Sequence, residues 1–264
     1  MDRAARVEAA NRNVVESFDR LRIHFRDPRG ARRRFGAVEA VAVGHDTAFF
    51  NPVLAFDEGS SVPDVVGALE WVESLGLPAS VVIDDAARAT IGRALEDLGL
   101  QAGDELTAVM TLDLEPPPFQ AAQPAPIARP EPVVRTGGFE LADEWWAALE
   151  ASERMRALFG AGLIASPDVR IAVADLAGTP AAGAMAIRSD EVVGVYAVWT
   201  AEWARRRGLG RAVTRGVIQA GIDLWGSRIA ILHSTDMGFP VYRALGFEQV
   251  GSVVLYRRPD TAGS

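Results

Sequence analysis

The sequence predicts an α+β protein whose mixed sheet is built twice, in two tandem parts. Three observations carry that expectation. From about residue 133 the apolar runs follow the order hairpin, strand, loop and helix, strand, short helix, strand, which describes a mixed sheet with helices. Residues 1–115 echo the later part of that order, with Asp97-Leu98-Gly99-Leu100 paralleling Ala244-Leu245-Gly246-Phe247. Between them, residues 116–132 hold seven of the fifteen prolines. Proline at that density removes donors and blocks helix and ladder, so this segment reads as a semi-rigid linker.

The elements of residues 1–115 follow from pattern and punctuation. A first helix carries the apolar stripe Val7, Val14, Phe18, Leu21 and Phe25. Arg32-Arg33-Arg34 reads as a solvated loop, with an anion patch as the alternative. Strands are expected at Phe35–Val43 and Thr47–Ala55, then a helix capped by Ser61 with Pro63 in its first turn. Gly76-Leu77-Pro78 stops that helix. A buried strand at Ala79–Ile83, a helix from Asp84 or Asp85 to Gly99, and a strand near Leu106–Leu114 complete this part.

Residues 133–264 begin with a strand near Pro132–Arg135 and helical patterns at Leu141–Glu150 and Glu153–Leu163. Strands Val169–Ala174 and Ala181–Arg188 form a hairpin across Asp175-Leu176-Ala177-Gly178. A further strand, Val192–Thr200, leads into an Arg/Gly loop and a helix to about Trp225. Strand Ile229–Ser234, a short helix at Gly238–Leu245 and a hairpin around Gly251 follow.

Composition bounds the chemistry. At 264 residues, 49% of them hydrophobic, both parts can build a core. No cysteine is present, and His24, His45 and His233 show no ligand spacing, so no metal site is expected. A net charge of −8 argues against a nucleic-acid partner and suits a positively charged substrate such as an amine. The polar start Met1-Asp2-Arg3 and the shortness of every apolar run predict a cytoplasmic protein with no membrane span.

The stretch Arg205-Arg206-Arg207-Gly208-Leu209-Gly210 carries the most chemical information. A strand that breaks into such a loop and restarts as a helix points several main-chain N–H groups into one concavity at a positive helix end, which suits a pyrophosphate. Gly208 and Gly210 let an anion approach the main chain. A dinucleotide fingerprint would need a third glycine and a Walker loop would need Gly-Lys-Ser/Thr; neither is present. The corresponding stretch of the first part, Asp57-Glu58-Gly59-Ser60-Ser61, is acidic and opposes a phosphate.

With these residues the second part resembles the GCN5-related N-acetyltransferases (GNATs). Their acyl-CoA signature, Arg/Gln-x-x-Gly-x-Gly/Ala at a helix start, is matched by Arg205, Gly208 and Gly210. Their second block, ending in Tyr and a Leu-Gly-Phe stop, is matched by Tyr242 and Leu245-Gly246-Phe247. The resemblance covers about residues 130–258 and implies a mostly antiparallel sheet flanked by helices, with 1–115 a degenerate GNAT-like domain and 133–264 the catalytic one. It implies acetyl-CoA as cosubstrate, with no metal, and transfer of its acetyl group to a primary amine on a small molecule or peptide.

The resemblance also implies roles. The fourth and fifth strands should splay, with Val198 and Thr200 presenting main-chain groups to the pantetheine arm and the thioester. Arg205, Arg206, Arg207, Gly208, Leu209, Gly210 and Arg211 would form the pyrophosphate loop. Tyr242 stands at the acid position, with an amphipathic core tyrosine as the alternative. Glu144, Asp190, Glu191 and Glu202 are candidate bases, each also readable as a solvated surface acid. His233 could face the cleft but reads as a hydrogen-bonded structural histidine. Trp145, Trp146, Trp199 and Trp203 could line an acceptor pocket; Trp145, Trp146 and Trp199 read as core. Asp236-Met237 departs from the asparagine many relatives carry, which leaves the adenine-side contacts open. A chain that binds acyl-CoA as a sensor or scaffold without turnover is the competing reading.

Overall fold

The computed structural model describes residues 1–103, 107–119 and 132–259. In chain order the helices and strands are α1 (Arg3–Phe25), β1 (Ala31–Phe35), β2 (Val38–Ala42), β3 (Pro52–Ala55), α2 (Val62–Ser74), β4 (Ser80–Asp84), α3 (Asp85–Asp97), β5 (Gln101–Ala102) and β6 (Thr107–Asp113). They continue as β7 (Val134–Gly137), α4 (Ala142–Ala148), α5 (Glu153–Leu158), α6 (Ala161–Ile164), β8 (Val169–Leu176), β9 (Thr179–Ser189) and β10 (Val192–Thr200). The last four are α7 (Leu209–Trp225), β11 (Ile229–Ser234), α8 (Phe239–Ala244) and β12 (Glu248–Arg257). This is the expected α+β class, a mostly antiparallel sheet flanked by helices. Most of the proline-rich segment 116–132 lies outside the described residues.

The chain divides into two compact units, but not at that segment. One comprises Val14–Val109 with Gln249–Ser264, the other Met1–Asn13 with Met110–Glu248. Where contiguous halves 1–115 and 133–264 are expected from sequence, the first thirteen residues group with Met110–Glu248 and the last segment with Val14–Val109. The physical reason is apolar burial far apart in sequence: Val254 and Tyr256 of β12 sit in one core with Val81, Ile83 and Ile91. Tyr256 finds room because Gly92 has no side chain; a Cβ there would lie 3.4 Å from the phenol oxygen.

In the Val14–Val109 unit, β1 and β2 pair antiparallel, β2 pairs antiparallel with β3, β3 runs parallel to β4, and β12 lies antiparallel to β4. Ser61 caps α2, its Oγ accepting from the Asp64 N–H at 3.3 Å, and Asp84 caps α3 by accepting from the Ala87 N–H at 2.9 Å. Three expectations need correction. Arg32-Arg33-Arg34 is strand β1, not a loop: Arg32 pairs with Glu39 at 3.2 Å and Arg33 lies over the Phe35 ring. The strand expected from Thr47 begins only at Pro52, after a 3-10 turn at Ala48–Phe50. Gly251 sits inside the unbroken β12 rather than in a hairpin turn.

In the other unit, β7, β8, β9 and β10 form an antiparallel run, and β10 pairs parallel with β11. The β8–β9 hairpin turns on Ala177 and Gly178, both at positive φ (53° and 80°), as a two-residue primed turn requires. Gly160 divides the helical pattern expected at Glu153–Leu163 into α5 and α6. α7 crosses close over the sheet because Gly216 and Gly221 carry no side chain: a Cβ at either would come within 2.8–2.9 Å of Val134 or Val193.

Candidate functional site

The site grows from an interrupted ladder. β10 and β11 pair only over Val192–Gly194 with Ile229–Ile231, although β10 runs on to Thr200 and β11 to Ser234. Beyond Gly194 the two strands diverge. On its other edge β10 is bulged: Tyr196 faces Met185 and Trp199 faces Gly183 on β9, so Ala197 and Val198 stand opposite Ala184 alone. Ala197 takes φ +48° there. The bulge rests on a fixed floor. The indole of fully buried Trp145 donates to the Ala184 carbonyl at 3.0 Å, and a Cβ at Gly183 would lie 2.9 Å from that ring. Thr200 closes β10 in register with Ala182.

After β10 a 3-10 turn at Glu202–Ala204 leads into the Arg/Gly loop. Arg206 and Gly208 both take positive φ, 63° and 82°. A left-handed arginine costs about 1–2 kcal/mol, so the loop's shape is held against local preference. Its result is a row of donors. No main-chain N–H from Arg206 to Arg211 meets an acceptor among the described residues, and the first bond back into the turn is from Ala212 to the Gly208 carbonyl at 3.0 Å. A Cβ at Gly208 would meet nothing within 4 Å, whereas one at Gly210 would lie 3.2 Å from Thr200 Oγ1. The row thus opens outward at Gly208 and abuts the end of β10 at Gly210. It offers several N–H groups without acceptors among the described residues at the positive end of a 17-residue helix.

Arg205 faces elsewhere. Its Nε donates to the Thr200 carbonyl at 3.3 Å and its guanidinium lies 5.8 Å from the Trp199 ring centre, so it braces the loop on β10. Leu209 is buried and anchors α7, while Arg206, Arg207 and Arg211 are exposed.

The contrast with the other unit is physical. There β3 pairs with β4 over its whole length, Pro52–Ala55 with Ser80–Ile83, and no wedge opens. In its loop the Asp57 carboxylate already accepts from the Gly59 N–H at 2.6 Å, so an acid stands where an anion would have to bind.

Tyr242 projects from α8, its ring edge-on to Phe247 at 6.0 Å. A Cβ at Gly238 would lie 2.9 Å from Tyr242 Cε2 and 3.1 Å from Ser234 Oγ, so glycine there lets the ring settle beside the end of β11. The hydroxyl has no hydrogen-bond partner among the described residues, and burial pushes its pKa up to about 12. It therefore stays protonated, a donor, through neutral pH.

The carboxylates expected as bases are mostly engaged. Glu144 pairs with Arg135 at 2.9 Å, Asp190 with Arg12 at 3.7 Å and Glu191 with Arg228 at 3.7 Å. Glu202 is exposed. Trp145 is core, as expected, and Trp146 donates to the Phe159 carbonyl at 3.2 Å. Trp199 is not core: it is 40% exposed, as the bulge turns it outward, and Trp203 is 52% exposed. Nor does the His233 imidazole have a hydrogen-bond partner among the described residues. Its Nε2 is buried without a partner among the described residues, and desolvation lowers its pKa to about 4.

Sequence reasoning missed Asn13. Its fully buried amide donates to the Ser189 hydroxyl at 2.5 Å and the Ile187 carbonyl at 3.3 Å, and accepts from the Tyr196 hydroxyl at 2.5 Å. It sits over Gly194, where β10 and β11 part; a Cβ at Gly194 would lie 2.0 Å from Asn13 Oδ1.

No family model and no curated protein matches the chain. Solved structures do. A GCN5-related N-acetyltransferase from Kribbella flavida superposes with a TM-score of 0.64 at 21% identity, over 87% of this chain and 90% of that one. A functionally unknown conserved protein from Staphylococcus epidermidis gives 0.62 at 10% identity, over 87% and 94%. A tandem GNAT protein from the clavulanic acid biosynthesis pathway gives 0.56 at 16% identity, over 84% and 78%. With the diverging strands and the donor loop, these likenesses identify the fold of this chain as that of the GCN5-related N-acetyltransferases.

Proposed function

We propose that the chain is an acetyl-CoA-dependent N-acetyltransferase that passes the acetyl group to a primary amine by direct attack on the thioester. One observation carries the reading: six consecutive main-chain donors, Arg206–Arg211, stand without acceptors among the described residues beside the wedge between β10 and β11. Acetyl-CoA, as substrate, supplies the activated acyl group. The loop N–H groups hold its diphosphate, and the free edges of Val198 and Thr200 receive the pantetheine amides as an added strand would. A main-chain N–H at the bulge polarises the thioester carbonyl.

Tyr242 completes the site as a hydrogen-bond donor to the departing sulfur. A thiol of pKa about 8.5 is the stronger acid of the two, so the phenol at about 12 stabilises the thiolate by donation rather than by outright proton loss. In this reading 133–264 supplies the catalytic residues, and 1–115 is a tandem copy that has lost its anion site. The protein works in the cytoplasm without a metal.

Titration calorimetry with acetyl-CoA tests the loop. Gly210→Asp should abolish measurable binding, because the new carboxylate meets Thr200 and repels the diphosphate; unchanged affinity would refute the assignment. Thiol release with a panel of primary amines tests transfer, and tight binding without turnover on any of them would favour the sensor reading.

A further inference from the structure

The strand register assigns sides to the wedge. Val193 of β10 packs under α7, since a Cβ at Gly221 would lie 2.9 Å from its side chain. Gly194, the next residue, faces the opposite side, toward Asn13 and the ring of Tyr196. Neighbours in a ladder share a face and successive residues alternate. Ala230 and Ile231 are the partners of Val193 and Gly194, so Ser234 falls on the α7 side and His233 on the Asn13 side. Had the ladder continued, His233 would stand beside Tyr196. Tyr242 lies with Ser234, so the phenol and the imidazole flank the unpaired end of β11 from opposite faces.

We propose, resting on the transferase reading, that the acceptor amine reaches the thioester across the Asn13–Tyr196 face and that His233 takes its proton. Three observations converge. Leaving a buried ring nitrogen unpaired costs about 1–3 kcal/mol, and His233 Nε2 is such an atom, placed by the strand register at the unpaired stretch of the wedge. Tyr196, Ala197, Val198 and His233 are all only part-buried, so each keeps some accessible surface, although Nε2 itself is covered. No charged group contributes to the shift at His233, and the ring is a neutral proton acceptor at neutral pH.

The step balances. The amine lone pair forms the C–N bond to the acyl carbon, which makes that nitrogen acidic, and its proton passes to the imidazole. The C–S bond breaks with its electron pair on sulfur, steadied by the Tyr242 hydroxyl. The imidazolium returns its proton to solvent and the thiolate takes one up, giving amide and free thiol. Asn13 is a positioning residue here, since it acts through Tyr196.

The test compares wild type, His233→Gln and His233→Ala for thiol release with acetyl-CoA and three probes: tyramine, spermidine and an unblocked tripeptide. Calorimetry and a thermal melt accompany each protein. Expected are a loss in kcat of about 10²-fold or more with acetyl-CoA affinity within about twofold. Added imidazole should restore part of the activity of His233→Ala, which a purely structural role would not allow. Wild-type turnover in the folded variants, or equal loss of acetyl-CoA affinity, overturns the inference. Wild type that binds acetyl-CoA but acetylates no probe overturns the transferase reading and this step with it; wild type that binds no acetyl-CoA removes the coenzyme site itself.

Discussion

Substitution of Gly194 by alanine tests how the apex of the wedge is held. The new methyl would lie 2.0 Å from Asn13 Oδ1 and 2.6 Å from Tyr196 Cε2, distances no side chain tolerates. Overpacking of this kind costs about 1–3 kcal/mol. Displacing Asn13 also breaks its bonds to Ile187, Ser189 and Tyr196, and a buried polar group left unpaired adds about 1–3 kcal/mol. We expect a loss of about 3 kcal/mol, which at a slope of about 2 kcal/mol/M lowers the urea midpoint by roughly 1.5 M. Tryptophan emission reads the right unit, because Trp145, Trp146, Trp199, Trp203 and Trp225 all belong to the Met110–Glu248 segment and only Trp71 does not. In an Asn13→Ala background the same Gly194→Ala change should cost at least about 1 kcal/mol less, since the tightest clash is gone. Additive costs across the four proteins would refute the claim that Asn13 and Gly194 fit one another.

Three further outcomes follow from the site. Tyr242→Phe should lower turnover by about 10²-fold while acetyl-CoA affinity stays level; its thermal midpoint should hold or rise, because the hydroxyl has no partner to lose. Gly238→Ala should reproduce part of that kinetic defect, as its methyl displaces the Tyr242 ring; steady-state rates equal to wild type would show that the ring has room to move. His233 links stability to acid. With a folded pKa of about 4 against 6.5 unfolded, its neutral form contributes fully above about pH 6.5, and that contribution falls as pH drops toward 4. The total is about 3 kcal/mol. Melts should show the stability of wild type falling relative to His233→Leu between pH 7.5 and 5, and parallel curves would remove the linkage.

How much of this was legible depended on range. The Arg205–Gly210 loop and the strand and helix around it are contiguous, and backbone donors at a helix start follow from local rules, so the sequence sufficed. The Gly208 and Gly210 positions and the Trp225 end of α7 were readable for the same reason. What escaped was nonlocal. β12 looks like part of the second half until Tyr256 is seen in the core with Ile83. Asn13 gains meaning only from Gly194 and Tyr196, far along the chain. Trp199 alternates like a core residue, but the two-residue bulge shifts its phase. His233 reads as a satisfied histidine because sequence carries no record of which polar atoms lack partners.

The placement of β12 also constrains how the molecule can be made. During synthesis β4 leaves the ribosome long before the strand that pairs with its free edge, so the Val14–Val109 core must wait, incomplete, while everything between is translated. Cutting the gene in the proline-rich segment would deprive one product of a strand and the other of the Met1–Asn13 anchor. Fragments divided there should recover structure only when produced together, each lending the other its missing piece.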